Sequence, residues 1–154
     1  MRRQGIDADY ERKKEELIMY EDARDKNFED KIHAKTGATP LHVSAAKGYT
    51  RVMKLLLLSG ADVSAVDKDG WTPLHAAAHW EQEEACRILC EYGADFEIRN
   101  YSEQTPYEVC EGEMVTKLKQ MENNSKLNNN VNLVYIKYST KFGIDSQIFH
   151  FLFF

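Results

Sequence analysis

His75 and His79 lie four residues apart, the spacing that can aim two imidazoles at one metal ion from a helix face. The pair lacks the glutamate of a metalloprotease helix and an obvious third ligand, so no metal is expected. Cys86, Cys90 and Cys110 are the candidates for thiol chemistry, but a working thiolate needs an activating base beside it. Cys86 and Cys90 are also four apart on apolar helical positions, which favours buried thiols over a bridge or a nucleophile. No Gly-rich loop could cradle a phosphate, and no acid, base and nucleophile converge. The sequence therefore predicts a protein that is not an enzyme, holds no cofactor and works through its surface.

The elements that position these residues repeat. Thr39-Pro40-Leu41-His42 recurs 33 residues later as Thr72-Pro73-Leu74-His75, and Thr105-Pro106 follows after another 33. Gly60-Ala61-Asp62 and Gly93-Ala94-Asp95 keep the same interval, as do Gly37 and Gly70. A period of 33 built on Thr-Pro-Leu-His is the ankyrin signature. Thr is suited to cap the inner helix, with Pro at its first position, where a missing N–H costs nothing. Small residues such as Ala76-Ala77-Ala78 let that helix approach its neighbours, and Val52, Leu55, Leu56, Ile88 and Leu89 supply bulk on the outer helix. Gly60 and Gly93 are expected to end the outer helices in the left-handed conformation. His42 and His75 are expected to be structural, bridging turn backbone groups between repeats. The fold class is an all-α ankyrin-repeat solenoid: helix-turn-helix repeats with β-turn fingers, in a truncated array with a long inserted N-terminal helix.

Residues 1–35 read as the end of a preceding repeat (Gly5-Ile6-Asp7) and a charged helix over about 8–25, whose Leu17, Ile18, Met19 and Tyr20 pack on the first full repeat. Residues 36–123 hold the repeats, divided as 36–66, 67–99 and a degenerate cap at 100–123 closed by a short helix over 114–121. Glu81 stands where the turn between helices ordinarily has Gly. Residues 124–154, rich in Asn and ending in Phe-rich sequence, read as a low-complexity tail, disordered or non-native. The net charge of −5 disfavours nucleic acid and membrane surfaces as partners. Three cysteines, no secretory segment and no spanning apolar run point to the cytoplasm.

Several strings are more specific than the repeat consensus. Ala45-Ala46-Lys47-Gly48-Tyr49-Thr50, the run from Asp69-Gly70-Trp71 to Ala78-His79-Trp80, and Glu83-Glu84-Ala85-Cys86-Arg87-Ile88-Leu89 resemble the myosin phosphatase targeting subunits. The upstream helix adds Glu15-Glu16, Ile18-Met19 and Asp22-Ala23-Arg24, so the resemblance covers roughly residues 5–122. It implies a non-catalytic subunit that binds the type-1 serine/threonine phosphatase catalytic subunit, directs it to phosphorylated myosin light chain and associates with actomyosin. The family's basic-x-Val-x-Phe docking motif is not found here; Arg51-Val52-Met53-Lys54 lacks its aromatic. The resemblance further implies an acidic surface for the phosphatase's C-terminal tail, in the region of Glu108, Glu111 and Glu113. From the repeat pattern, the concave strip places Trp71, His79 and Trp80, with Tyr101, Ser102 and Gln104 on the next finger, as partner-binding candidates. The competing expectation is a general ankyrin scaffold with an unrelated partner.

Overall fold

The computed structural model describes residues 3–25 and 31–142. The chain divides into two compact units, Met1–Leu118 and Lys119–Phe154. Among the described residues there are six α-helices and no strands: α1 Arg3–Arg24, α2 Pro40–Lys47, α3 Thr50–Leu58, α4 Pro73–His79, α5 Glu83–Glu91 and α6 Glu113–Phe142.

In the first unit, α2 and α4 are the inner helices and α3 and α5 the outer ones. Each inner helix opens on a reciprocal cap. Thr39 Oγ1 accepts from the His42 N–H, and the Thr39 N–H donates to His42 Nδ1 at 3.2 Å. Thr72 and His75 repeat the pair with the same 3.2 Å bond. Histidine thus does here what Glu or Gln does in the usual capping box. The outer helices close alike. The Ala61 N–H returns to the Leu56 carbonyl and Gly60 to Leu57; Ala94 returns to Leu89 and Gly93 to Cys90. These are paired Schellman closures, and Gly60 (φ 94°) and Gly93 (φ 83°) supply the left-handed residue each needs. The core between the layers is Leu41, Ala45, Val52, Met53 and Leu56 in one repeat, then Leu74, Ala77, Ala78, Ala85, Ile88 and Leu89 in the next.

α1 docks on α3, but only part of the expected Leu17–Tyr20 cluster turns inward. Leu17 and Ile18 are 57% and 52% exposed, while Ala23 is buried and Glu15, Met19 and Tyr20 are partly covered. Positions 15, 19 and 23 share one helix face, and Glu15 fixes which face turns inward. Its carboxylate accepts from the Tyr49 hydroxyl at 3.1 Å and pairs with Lys47. Burial, then the Glu15 bond, pushes the Tyr49 hydroxyl up to about 12. The Arg51 guanidinium lies 5.0 Å from the Tyr20 ring centre. Polar anchoring therefore outweighs the apolar pair Leu17 and Ile18.

The third repeat is abridged. Only seven residues separate Thr105 from the left-handed Gly112, against nine from Thr39 to Gly48, and the inner helix shrinks to a turn at 106–108. Phe96 stacks on Tyr107 (centroids 5.8 Å apart), and Cys110, Met114 and Leu118 are buried. The expected short closing helix over 114–121 is instead a helix of 30 residues reaching Phe142. Residues 124–142, part of the tail expected to be disordered or non-native, are helical. No Gly or Pro lies between Gly112 and Gly143, so nothing in the sequence breaks the backbone pattern. Within the second unit, Lys126 pairs with Glu122 at 2.6 Å. Residues 143–154, with the terminal Phe run, lie outside the described residues.

Candidate partner-binding surface

The inner-helix histidines are bolts. Each accepts from its own threonine at Nδ1, which leaves the Nε2 proton free to point into the next repeat. His42 Nε2 donates to the Trp71 carbonyl at 2.7 Å, and His75 Nε2 donates to the Gln104 carbonyl at 3.0 Å. Burial holds both imidazoles below their ordinary pKa, so both are neutral at physiological pH.

Two residues that the sequence reading missed shape the fingers from the other side. Asp67 Oδ1 accepts from the Asp69 and Trp71 N–H groups, each at 2.9 Å. One period later, Asn100 Oδ1 accepts from the Ser102 and Gln104 N–H groups at 3.0 and 2.9 Å. The signal was available as an Asx residue recurring after 33 positions. Trp71 is thus fixed by Asp67 at its N–H and by His42 at its carbonyl.

On this scaffold an aromatic row forms. His79 Nδ1 donates to the Val109 carbonyl at 3.1 Å, which orients its ring. The Trp71 and Trp80 rings each stand nearly perpendicular to that ring, with centroids 5.3 Å away. Trp71 is half-buried, while His79 is exposed and Trp80 is 61% exposed. The row continues through Tyr101, 72% exposed, whose ring covers Gly70 and whose N–H donates to the Asp69 carbonyl at 3.0 Å. A Cβ on Gly70 would lie 2.6 Å from that ring, so glycine is what lets the two fingers meet.

The acidic candidates are not gathered on this row. Glu108 occupies the capping position that His42 and His75 fill elsewhere. Its Oε2 accepts from the Thr105 N–H at 2.7 Å and the Thr105 hydroxyl at 3.0 Å, and it pairs with Arg99 at 3.3 Å. The Thr105 bonds hold its carboxyl below the usual carboxylate range. Glu108 is engaged inside the repeat while its side chain stays half exposed. Glu113 opens α6 and shares Lys117 with Glu83 of α5, at 3.5 and 2.9 Å, which puts it with the outer layer. Glu111 is exposed. Ser102 and Gln104 are exposed; the Gln104 side chain accepts from Asn100 Nδ2 at 3.4 Å, while the bond from Ser102 to Asn100 uses its backbone N–H.

Burial pushes the Cys86 thiol up to about 12 and raises Cys110. Both are protonated and inert as nucleophiles. Among the described residues, no group of three or more His, Cys, Asp or Glu could hold a metal ion, and no helix is long and apolar enough to cross a membrane.

The family described as ankyrin repeats (3 copies) matches residues 13–100. The chain belongs to the ankyrin-repeat family. Its matched segment takes in the C-terminal part of α1 and both complete repeats. The array is 48% identical over 129 residues to protein phosphatase 1 regulatory subunit 12A of Rattus norvegicus. That match covers 81% of this chain and 12% of the rat protein. It is 44% identical over 75 residues to protein phosphatase 1 regulatory subunit 12B of Homo sapiens, covering 46% of this chain and 8% of that one. The chain thus spans only a small part of the length of these relatives. Among solved structures it is similar to the ankyrin repeat domain of Bcl-3, with TM-score 0.54 and 28% identity over 58% of this chain and 40% of that one.

Proposed function

We propose that this ankyrin array is a non-catalytic regulatory module that binds the catalytic subunit of a type-1 serine/threonine protein phosphatase through its concave aromatic row. The observation that carries the reading is the row itself: Trp71, His79 and Tyr101, each held by a bond from a neighbouring repeat, with the exposed Trp80 against the His79 ring. Trp and Tyr anchors are where binding energy concentrates at interfaces. The 48% identity to a phosphatase 1 regulatory subunit supports the choice of partner. Such a module acts by holding enzyme and substrate together, which raises effective concentration without any chemistry of its own. Phosphorylated myosin light chain is the substrate this reading expects, at cytoplasmic actomyosin.

Calorimetric titration of the purified chain with the phosphatase catalytic subunit tests it. Trp80→Ala, which removes an exposed side chain and should leave the fold intact, is expected to weaken binding by more than about 1 kcal/mol. Equal affinity of wild type and Trp80→Ala would dismiss the row as the contact surface.

A further inference from the structure

α1 is held to the repeats more by charge than by burial. Over residues 8–24 only Ala23 is buried, and residues 8–14 are all exposed. Its grip centres on one turn, Lys47-Gly48-Tyr49, between α2 and α3. The Glu15 carboxylate accepts from the Tyr49 hydroxyl at 3.1 Å and pairs with Lys47. The Arg12 guanidinium donates to the Lys47 carbonyl at 3.5 Å and lies 5.8 Å from the Tyr49 ring centre. Farther along, Asp22 pairs with Lys31 at 2.5 Å. Exposed pairs of this kind contribute little and weaken as salt screens them. An element held so lightly opens locally while the packed helices stay folded.

A second side chain bears on the same turn. One period later the turn recurs as Trp80-Glu81-Gln82, with Glu81 keeping the left-handed backbone of Gly48 (φ 54° and 69°). The partly covered Gln82 side chain reaches back over Gly48. A Cβ there would lie 2.2 Å from Gln82 Oε1, so glycine lets the amide rest directly on the backbone. The other end of that amide, Nε2, donates to the Trp80 carbonyl at 3.1 Å. An unbroken line of contacts thus runs from the Glu15 carboxylate through the turn and the Gln82 amide to the backbone of Trp80. Groups packed without a gap pass a displacement on and do not absorb it.

We infer that α1 is a releasable strap: seated through Glu15 it fixes Trp80 by way of Gly48 and Gln82, and lifted it lets that residue move. Glu15 and Gln82 are positioning residues for the aromatic row. That the strap governs partner binding rests on the row being the contact surface proposed above; the seating of Trp80 does not.

The whole chain labelled with fluorotryptophan carries one fluorine on Trp71 and one on Trp80, the second resonance being identified by its loss in Trp80→Phe. Fluorine NMR and amide hydrogen exchange are followed at about 0.01 and about 1 M salt, where charges are felt over about 30 and about 3 Å. High salt should speed exchange in α1 by about two- to fivefold, as for loss of an exposed ion pair, with α2–α5 unchanged. It should also move the Trp80 resonance. Glu15→Gln, nearly the same size, should do both at low salt. In Gln82→Ala the strap should still lift, but the Trp80 resonance should no longer follow it. Titration with the phosphatase catalytic subunit should find Glu15→Gln weaker by about two- to fivefold. Exchange in α1 indifferent to salt and to Glu15→Gln would leave no strap. A Trp80 resonance that stays still while α1 lifts, or follows salt equally in Gln82→Ala, would sever the link and overturn the inference. Unchanged affinity of Glu15→Gln, with Trp80→Ala impaired, would leave the row standing and deny the strap any control of it. Full binding by Trp80→Ala would remove the row as contact surface, and with it the strap's bearing on binding.

Discussion

Replacing His75 should cost more than any single core methyl, because its ring serves three partners at once. Nδ1 accepts from the Thr72 N–H at 3.2 Å and meets the Thr72 hydroxyl at 2.8 Å, and Nε2 donates to the Gln104 carbonyl at 3.0 Å. The residue is fully buried. His75→Ala strands the Thr72 N–H in the interior, at about 2 kcal/mol, and removes one of the two donors to the Gln104 carbonyl, which keeps the Asn100 N–H, at about 1 kcal/mol. The emptied volume adds about 1 kcal/mol. The total, about 4 kcal/mol, is a large share of a domain stability of about 5–15 kcal/mol. His75→Gln separates the two ends of the ring. Gln at this position keeps an acceptor for the cap, as Glu108 does for Thr105, but cannot also reach the next finger. Its cost should be about half. Urea unfolding followed by far-UV circular dichroism supplies both numbers. If His75→Ala costs less than about 1 kcal/mol, the bolt does not hold the stack. If His75→Gln costs as much as His75→Ala, the cap contributes nothing and the reasoning about Nδ1 is wrong.

Burial lowers the pKa of both His42 and His75 from 6.5, so below that value the unfolded chain binds protons that the folded chain refuses. Stability from these two groups is therefore complete above pH about 6.5 and declines as the pH falls from there toward the depressed folded values. Chemical denaturation from pH 8 to pH 5 should show that decline, and a His42→Gln, His75→Gln double variant should flatten it. The glycines are expected to differ by their surroundings. Gly60→Ala meets open space and should lose about 1 kcal/mol from its positive φ alone. Gly70→Ala should lose about 2–4 kcal/mol, because its Cβ would also lie 2.8 Å from the Tyr101 backbone nitrogen. Equal thermal midpoints for the two variants would contradict the close approach of the fingers.

What could be read from the sequence was what is local. Thr39 with His42, Thr72 with His75, and the closures at Gly60 and Gly93 each act across five residues or fewer, and they recur at a fixed interval, so type and spacing were enough to place them. Glu81 was visible as an intruder at a glycine position for the same reason. The tertiary structure decided whatever depends on which neighbour a side chain meets. Leu17 and Ile18 look like α1's packing face until Glu15 finds Tyr49 and Lys47, more than thirty residues away, and sets the helix's roll. Glu108 reads as a free surface charge until the abridged third repeat leaves Thr105 without a histidine and draws the carboxylate into the cap. Trp71 and Trp80 are separate tokens in the chain. They become one surface because His42 and Asp67 pin the first, His79 reaches across to Val109 between them, and the stacking of repeats decides both.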